Sequence, residues 1–206
     1  DDFFFFFEAY PQYTESYDCL TSEDIEFLDR YCSERFIDLV PCQNGFGHMA
    51  TWLRQEEFKH LAISDGKTAS ASLNPLDDGS FELVSNIYAS LLPHFKSKYV
   101  NIGCDEVAEL GSFQTEEVCK EQGRLNVYMD FVTKLMNLAR TKYGKTSQFW
   151  GDMIVDHPEM YDRIPKDAIV LEWDYEYIQS QRMEQRCRNM NEHGVRYYVC
   201  PSINTH

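Results

Sequence analysis

The sequence lacks any apolar run approaching the roughly 20 residues that a membrane-spanning helix needs. It is also short of cations, with 19 Lys plus Arg against 34 Asp plus Glu and a net charge of −15. Such a balance argues against nucleic acid or an anionic membrane as the main partner and leaves a neutral substrate unaffected. No Cys-x-x-Cys occurs, and the seven cysteines are scattered and odd in number. They read as reduced, mostly buried thiols, neither a disulfide framework nor a zinc site. No Asn-x-Ser/Thr sequon is present, and the expected setting is cytoplasmic. Gly-x-Gly-x-x-Gly, a P-loop and Gly-x-Ser-x-Gly are all missing, which disfavours dinucleotide binding, nucleotide binding and the α/β-hydrolase triad. His48, Asp105, Glu106 and Asp152 can be drawn as a metal site, but no pair has a ligand spacing such as His-x-x-x-His.

What is present is an alternation of strands and helices. Phe3–Phe7 is an aromatic run suited to a strand buried on both faces, and its closeness to residue 1 suggests a chain that begins inside a fold. Thr21-Ser-Glu-Asp24 opens a helix like a capping box, with Ile25, Leu28 and Tyr31 or Cys32 at helical spacing. Phe36–Val40 reads as the next strand, stopped by Pro41, and the polar stretch 64–80 as an excursion. A helix over 81–92, ended by Pro93, leads to a strand at Tyr99–Ile102. Leu125, Tyr128, Val132, Leu135 and Ala139 share one helix face, with Gly144 as C-cap. Then follow a strand at Gln148–Trp150, a short helix opening at His157-Pro158, a strand at Ala168–Trp173, a helix over 178–192 and a last strand at Val195–Cys200.

Six strands alternating with helices mean an α/β fold with a parallel sheet and right-handed crossovers. An open sheet and a barrel both satisfy that order. Acids and aromatics gather at the carboxyl ends of the strands: Glu8, Asp105, Glu106, Trp150, Asp152, Glu172 and Trp173. A (β/α)8 TIM barrel builds its site in this way. About six of its eight units would then be present, as one catalytic domain over 1–206 that is incomplete at both ends.

The stretch Lys98-Tyr-Val-Asn-Ile-Gly-Cys-Asp-Glu-Val-Ala-Glu-Leu-Gly111 carries the most chemistry. Adjacent carboxyls at a buried strand end repel, so one of Asp105 and Glu106 is expected to hold its proton near neutral pH. Two acids at that position also suit an ordinary helix N-terminus. His48 closes the glycine-containing loop Cys42-Gln-Asn-Gly-Phe-Gly-His48 at the same end of the sheet.

Asn101-Ile-Gly-Cys-Asp-Glu-Val-Ala-Glu-Leu-Gly111 resembles the Gly-x-Asp-Glu signature of family 20 glycoside hydrolases, in particular the hexosaminidase-D-like and related bacterial branch. Pro41–His48, Phe149-Trp-Gly-Asp-Met153 and Val170-Leu-Glu-Trp173 resemble further family segments in the same order, and Val199-Cys-Pro201 adds a weaker match. The resemblance implies an exo-β-N-acetylhexosaminidase acting on an amino-sugar glycoside, with no metal or organic cofactor. The substrate's own 2-acetamido oxygen would serve as nucleophile. It makes Glu106 the acid and base, Asp105 the partner of the acetamido N–H, and Trp150 and Trp173 walls of the sugar pocket. It places His48 beside the acid pair, and Asp152 and Glu172 either as substrate contacts or as braces of their loops. Asn44 stands where many members carry an acid. The sugar-clamping Arg, a further tryptophan and the tyrosine that holds the acetamido group would lie outside these 206 residues. A non-catalytic carbohydrate-binding relative of the same fold is the alternative, and the retained acid pair favours the enzyme.

Overall fold

The structure, a computed structural model, describes residues 3–14, 18–68, 70–175 and 180–201. Four parallel strands, β1 (Tyr99–Asn101), β2 (Thr146–Trp150), β3 (Ile169–Asp174) and β4 (Arg196–Pro201), hydrogen-bond in sequence order. A doubly wound sheet reverses its strand order at a switch point, whereas barrel staves follow one another around the axis. The order β1-β2-β3-β4 has no reversal and is the order of staves.

Two expected strands take a different form. Phe36 is fully exposed, at φ 59°, in the turn that ends the preceding helix, where its N–H bonds Ser33 O and that of Ile37 bonds Cys32 O. The chain reaches the sheet only at Pro41, whose carbonyl accepts from Asn101 N–H at 2.9 Å. Proline lacks a donor but keeps its acceptor, so Pro41 starts the pairing that it was expected to stop. Gln43 and Gly45 donate to Asn101 O and Ile102 O, and the stave is residues 41–45, not 36–40. At the amino end Phe3, Phe5 and Phe7 are buried while Phe4 is exposed, so the run alternates and is not covered on both faces. It is held by one parallel bridge, Phe5 to Leu20. The odd-numbered rings belong to an aromatic cluster with Trp52, Tyr10 and Phe58.

The helices are α1 (Pro11–Thr14), α2 (Ser22–Ser33), α3 (Ala50–Leu53), α4 (Asp78–Leu91), α5 (Glu116–Gln122), α6 (Arg124–Tyr143) and α7 (Ser180–Glu192). The capping box that opens α2 is formed: Asp24 N–H donates to Thr21 Oγ1 at 3.2 Å, and Thr21 N–H to Asp24 Oδ2 at 2.9 Å. Gly144 ends α6 in the left-handed region at φ 64°, which costs glycine nothing. α4 begins three residues before the expected 81 because Asp77 caps Gly79 N–H. The expected helix at His157-Pro158 is a 3-10 turn over Pro158–Arg163, and the expected start of the 178–192 helix lies outside the described residues.

The register decides which way each strand residue faces. Asn101 pairs with Gln148, Trp150 with Leu171, and Trp173 with Cys200, so these six point into the barrel. Val100, Phe149, Val170 and Glu172 point outward to the helices. There α6 packs on β2 and buries Val132, Leu135 and Ala139. Truncating a fully buried leucine such as Leu135 to alanine costs about 2–5 kcal/mol, because it leaves a cavity as well as losing transfer energy. Among the described residues no helix is long and apolar enough to cross a membrane.

Candidate active site

Beyond Asn101 the chain turns sharply. Asn101 Oδ1 accepts Gly103 N–H at 2.9 Å, and Gly103, Cys104 and Glu106 all have positive φ (67°, 70° and 48°). Only glycine adopts this region without strain, so the Cys104–Glu106 hook is held by its surroundings. Tyr128 Oη donates to Cys104 O at 2.8 Å, and Asp152 Oδ2 accepts Glu106 N–H at 3.0 Å.

The histidine loop packs directly on this hook. A Cβ on Gly47 would lie 2.0 Å from the Asp105 carbonyl oxygen, and one on Gly103 would lie 2.0 Å from Asn44 Oδ1. Glycine at 47 therefore lets the two backbones touch. His48, itself at φ 55°, then lies between the acids: its Nε2 is 3.2 Å from Asp105 Oδ2 and 3.1 Å from Glu106 Oε2. One imidazole nitrogen and one oxygen from each carboxylate lie within 4.8 Å of one another, the one trio of potential metal ligands among the described residues.

An open cleft of about 360 Å³ lies above the trio, within the range of small-ligand sites. His48, Asp105, Glu106, Trp150 and Trp173 all line it, so the structure brings five of the seven residues singled out in the sequence to one place. Cys42, Asn44, Tyr175 and Cys200 complete the wall. Cys200 pairs with Trp173 across β3 and β4 and so shares its face, a register that the sequence does not show. Tyr175 lies two residues past Trp173, its ring 5.1 Å away, and that spacing was its only signal.

Asp152 does not line the cleft; it stands behind Glu106 as the acceptor of its N–H. Glu172 faces the other side of β3. It is buried against α7, where Oε1 is 3.0 Å from Arg186 Nη1, and Arg186 also grips Asp156. The expectation that Glu172 contacts substrate is therefore corrected: two-residue periodicity turns it outward when Trp173 turns inward. Glu8 is likewise exposed and outside the cleft.

Burial pushes the Asp105 carboxyl up, and Glu106 adds to this, while His48 and the residue's own backbone N–H pull it down. Loss of water thus outweighs the repulsion between neighbouring acids that the sequence suggested as the cause. Burial also carries Asp152 from its ordinary 3.8 to about 6, against the Glu106 N–H. The Trp173 indole N–H is near enough to favour ionised Asp152 but outside hydrogen-bonding geometry. Three polar atoms here are buried without a partner: Asp105 Oδ1, Asp152 Oδ1 and Trp173 Nε1.

The sequence pattern of the glycosyl hydrolase family 20 catalytic domain matches residues 7–204. The chain belongs to glycosyl hydrolase family 20. Among curated relatives, Hexosaminidase D of Bos taurus is 26% identical over 147 residues, covering 68% of this chain and 42% of the relative. The chain spans less than half the length of the curated relatives it matches. The chitobiase of Flavobacterium johnsoniae superposes with a TM-score of 0.78 at 19% identity, over 96% of this chain and 31% of that one. The exo-β-N-acetylglucosaminidase of Vibrio harveyi in complex with N-acetylglucosamine gives 0.68 at 19%, over 96% and 34%. These neighbours share the (β/α)8 barrel, and this family 20 domain carries part of it, with its strands in stave order.

Proposed function

We propose that this family 20 domain belongs to an exo-acting β-N-acetylhexosaminidase that removes terminal β-linked GlcNAc or GalNAc by a substrate-assisted, retaining reaction. The observation that carries the reading is the acid pair lining a tryptophan-walled cleft, with His48 Nε2 within 3.2 Å of both carboxylates. Asp105 is the acceptor for the acetamido N–H. In the first step the acetamido carbonyl oxygen attacks C1 as Glu106 protonates the departing glycosidic oxygen. The bond from C1 to the aglycone breaks as the bond from C1 to the acetamide oxygen forms, giving an oxazolinium ion. The Glu106 carboxylate then takes a proton from a water whose oxygen bonds to C1 as the bond from C1 to the acetamide oxygen breaks, which regenerates the acetamide, and two inversions restore the β configuration.

Asp105 orients the acetamide and faces the positive ring with its charge. In the free protein burial holds its carboxyl up. The arriving N–H and the growing positive charge both favour its ionised form. Glu106 is half exposed in the free protein, and a bound sugar displaces the water around it. Trp150 and Trp173 offer flat faces to the C–H-rich sides of the pyranose. We place the enzyme in the cytoplasm, a setting in keeping with seven free thiols.

Chromogenic aryl β-GlcNAc and β-GalNAc glycosides test the proposal directly. Hydrolysis with retained configuration and inhibition by an N-acetyl thiazoline are expected. Binding of GlcNAc without any turnover would identify a non-catalytic sugar-binding relative instead. A sugar trapped covalently on Asp105 or Glu106 by a 2-fluoro glycoside would refute the mechanism.

A further inference from the structure

The geometry points to Tyr128 as a positioning residue that sets the catalytic hook and the histidine loop against each other, with Asp152 as the second arm of the same clamp. Tyr128 is fully buried on α6 and enters no step of the reaction. Its hydroxyl donates to the Cys104 carbonyl at 2.8 Å, immediately before Asp105. The face of its ring stacks on Phe46, two residues before His48, with centroids 5.7 Å apart and planes 13° apart. One side chain therefore touches both loops: its hydroxyl at Cys104, next to Asp105, and its ring at Phe46, two residues before His48.

The hook needs such support. Cys104 and Glu106 both carry left-handed backbone without being glycine, and such conformations persist only where their surroundings enforce them. The residues on either side of Asp105 each have one backbone group tied to a distant side chain, the Cys104 carbonyl to Tyr128 and the Glu106 N–H to Asp152. Both ties are to side chains from outside the loop, one on a helix and one after β2. Releasing either lets the peptide planes around Asp105 rotate, which moves both carboxyls relative to His48. The inference rests on the proposed hydrolase reading for its kinetic part, and its structural part is independent of it.

Tyr128→Phe keeps the stacked ring and removes only the hydroxyl. It should fold with a thermal midpoint near wild type, leave GlcNAc binding and KM nearly unchanged, and lower kcat by up to about a hundredfold, as expected for a small misplacement of reacting groups. Asp152→Asn retains an acceptor for Glu106 N–H and should keep more activity than Asp152→Ala. The activity-independent readout is the His48 imidazole NMR signal, which should move in Tyr128→Phe and in Asp152→Ala. A Tyr128→Phe protein with wild-type kcat and an unmoved His48 signal would overturn the clamp. If the wild-type protein hydrolyses no hexosaminide, the hydrolase reading fails and the His48 signal alone decides the clamp. Should Tyr128→Phe fail to fold, Asp152→Ala supplies the same measurement, and an unmoved His48 signal there also overturns it.

Discussion

Asp152 places an ionisable group where water is scarce, and the consequence is measurable as a change of stability with pH. Its carboxyl moves from 3.8 to about 6 on folding, chiefly through burial. The folded state therefore binds the proton more tightly than the unfolded chain between those values. Stability contributed by this group is fully present below about pH 4 and is lost as pH rises through 6. The shift corresponds to about 3 kcal/mol between the two limits. Asp152→Asn removes the titration while keeping an oxygen for Glu106 N–H. Urea unfolding of both proteins from pH 4 to 7.5 should show the wild type losing about 3 kcal/mol relative to the variant as pH rises. Asp105 is raised by burial as well, but it titrates in both proteins and largely cancels in the difference. Two stability curves that stay parallel across this window, or a difference of opposite sign, would refute the reasoning.

The acids should separate by substrate. Glu106→Gln should slow glycosides with poor leaving groups most and partly spare activated aryl glycosides in the first step, as single-turnover kinetics would show. Asp105→Asn should slow both classes, by about 2.7–4 kcal/mol in activation free energy if it resembles loss of a positioned electrostatic partner. Gly47→Ala should abolish activity and lower the thermal midpoint, because the new Cβ meets the Asp105 carbonyl and backbone cannot step aside like a flexible side chain; a fully active Gly47→Ala enzyme would disprove that packing. Arg186→Leu strands Glu172 in the core and should cost about 3–5 kcal/mol of unfolding free energy. Arg186 and Arg182 also hold Asp156 well below the usual carboxylate range, so its contribution is present above the ordinary carboxylate pKa and is lost as pH falls further. Acid titration of Asp156→Asn should lack that component.

Much of the fold and most of the site were legible along the chain. Local signals were the reliable ones, because they depend on a few neighbouring residues. The Thr21/Asp24 capping box, Gly144 at the end of α6 and the strands after residue 98 all stand where periodicity and turn chemistry put them. The Asp105-Glu106 pair, His48 and the two tryptophans could be nominated because the carboxyl ends of parallel strands share one end of the sheet. What the sequence left open was which way each side chain faces and who supports it. Glu172 and Trp173 are adjacent in the chain, and only the register with β4 shows one against Arg186 and the other in the cleft. Pro41 read as a stop because its missing donor is visible in the sequence, whereas the Asn101 N–H that uses its carbonyl is 60 positions away. Asp152 and Tyr128 reach the catalytic hook from 46 and 24 positions along the chain. Side-chain burial and long-range hydrogen bonds are properties of the packed state, so the tertiary structure alone decided them.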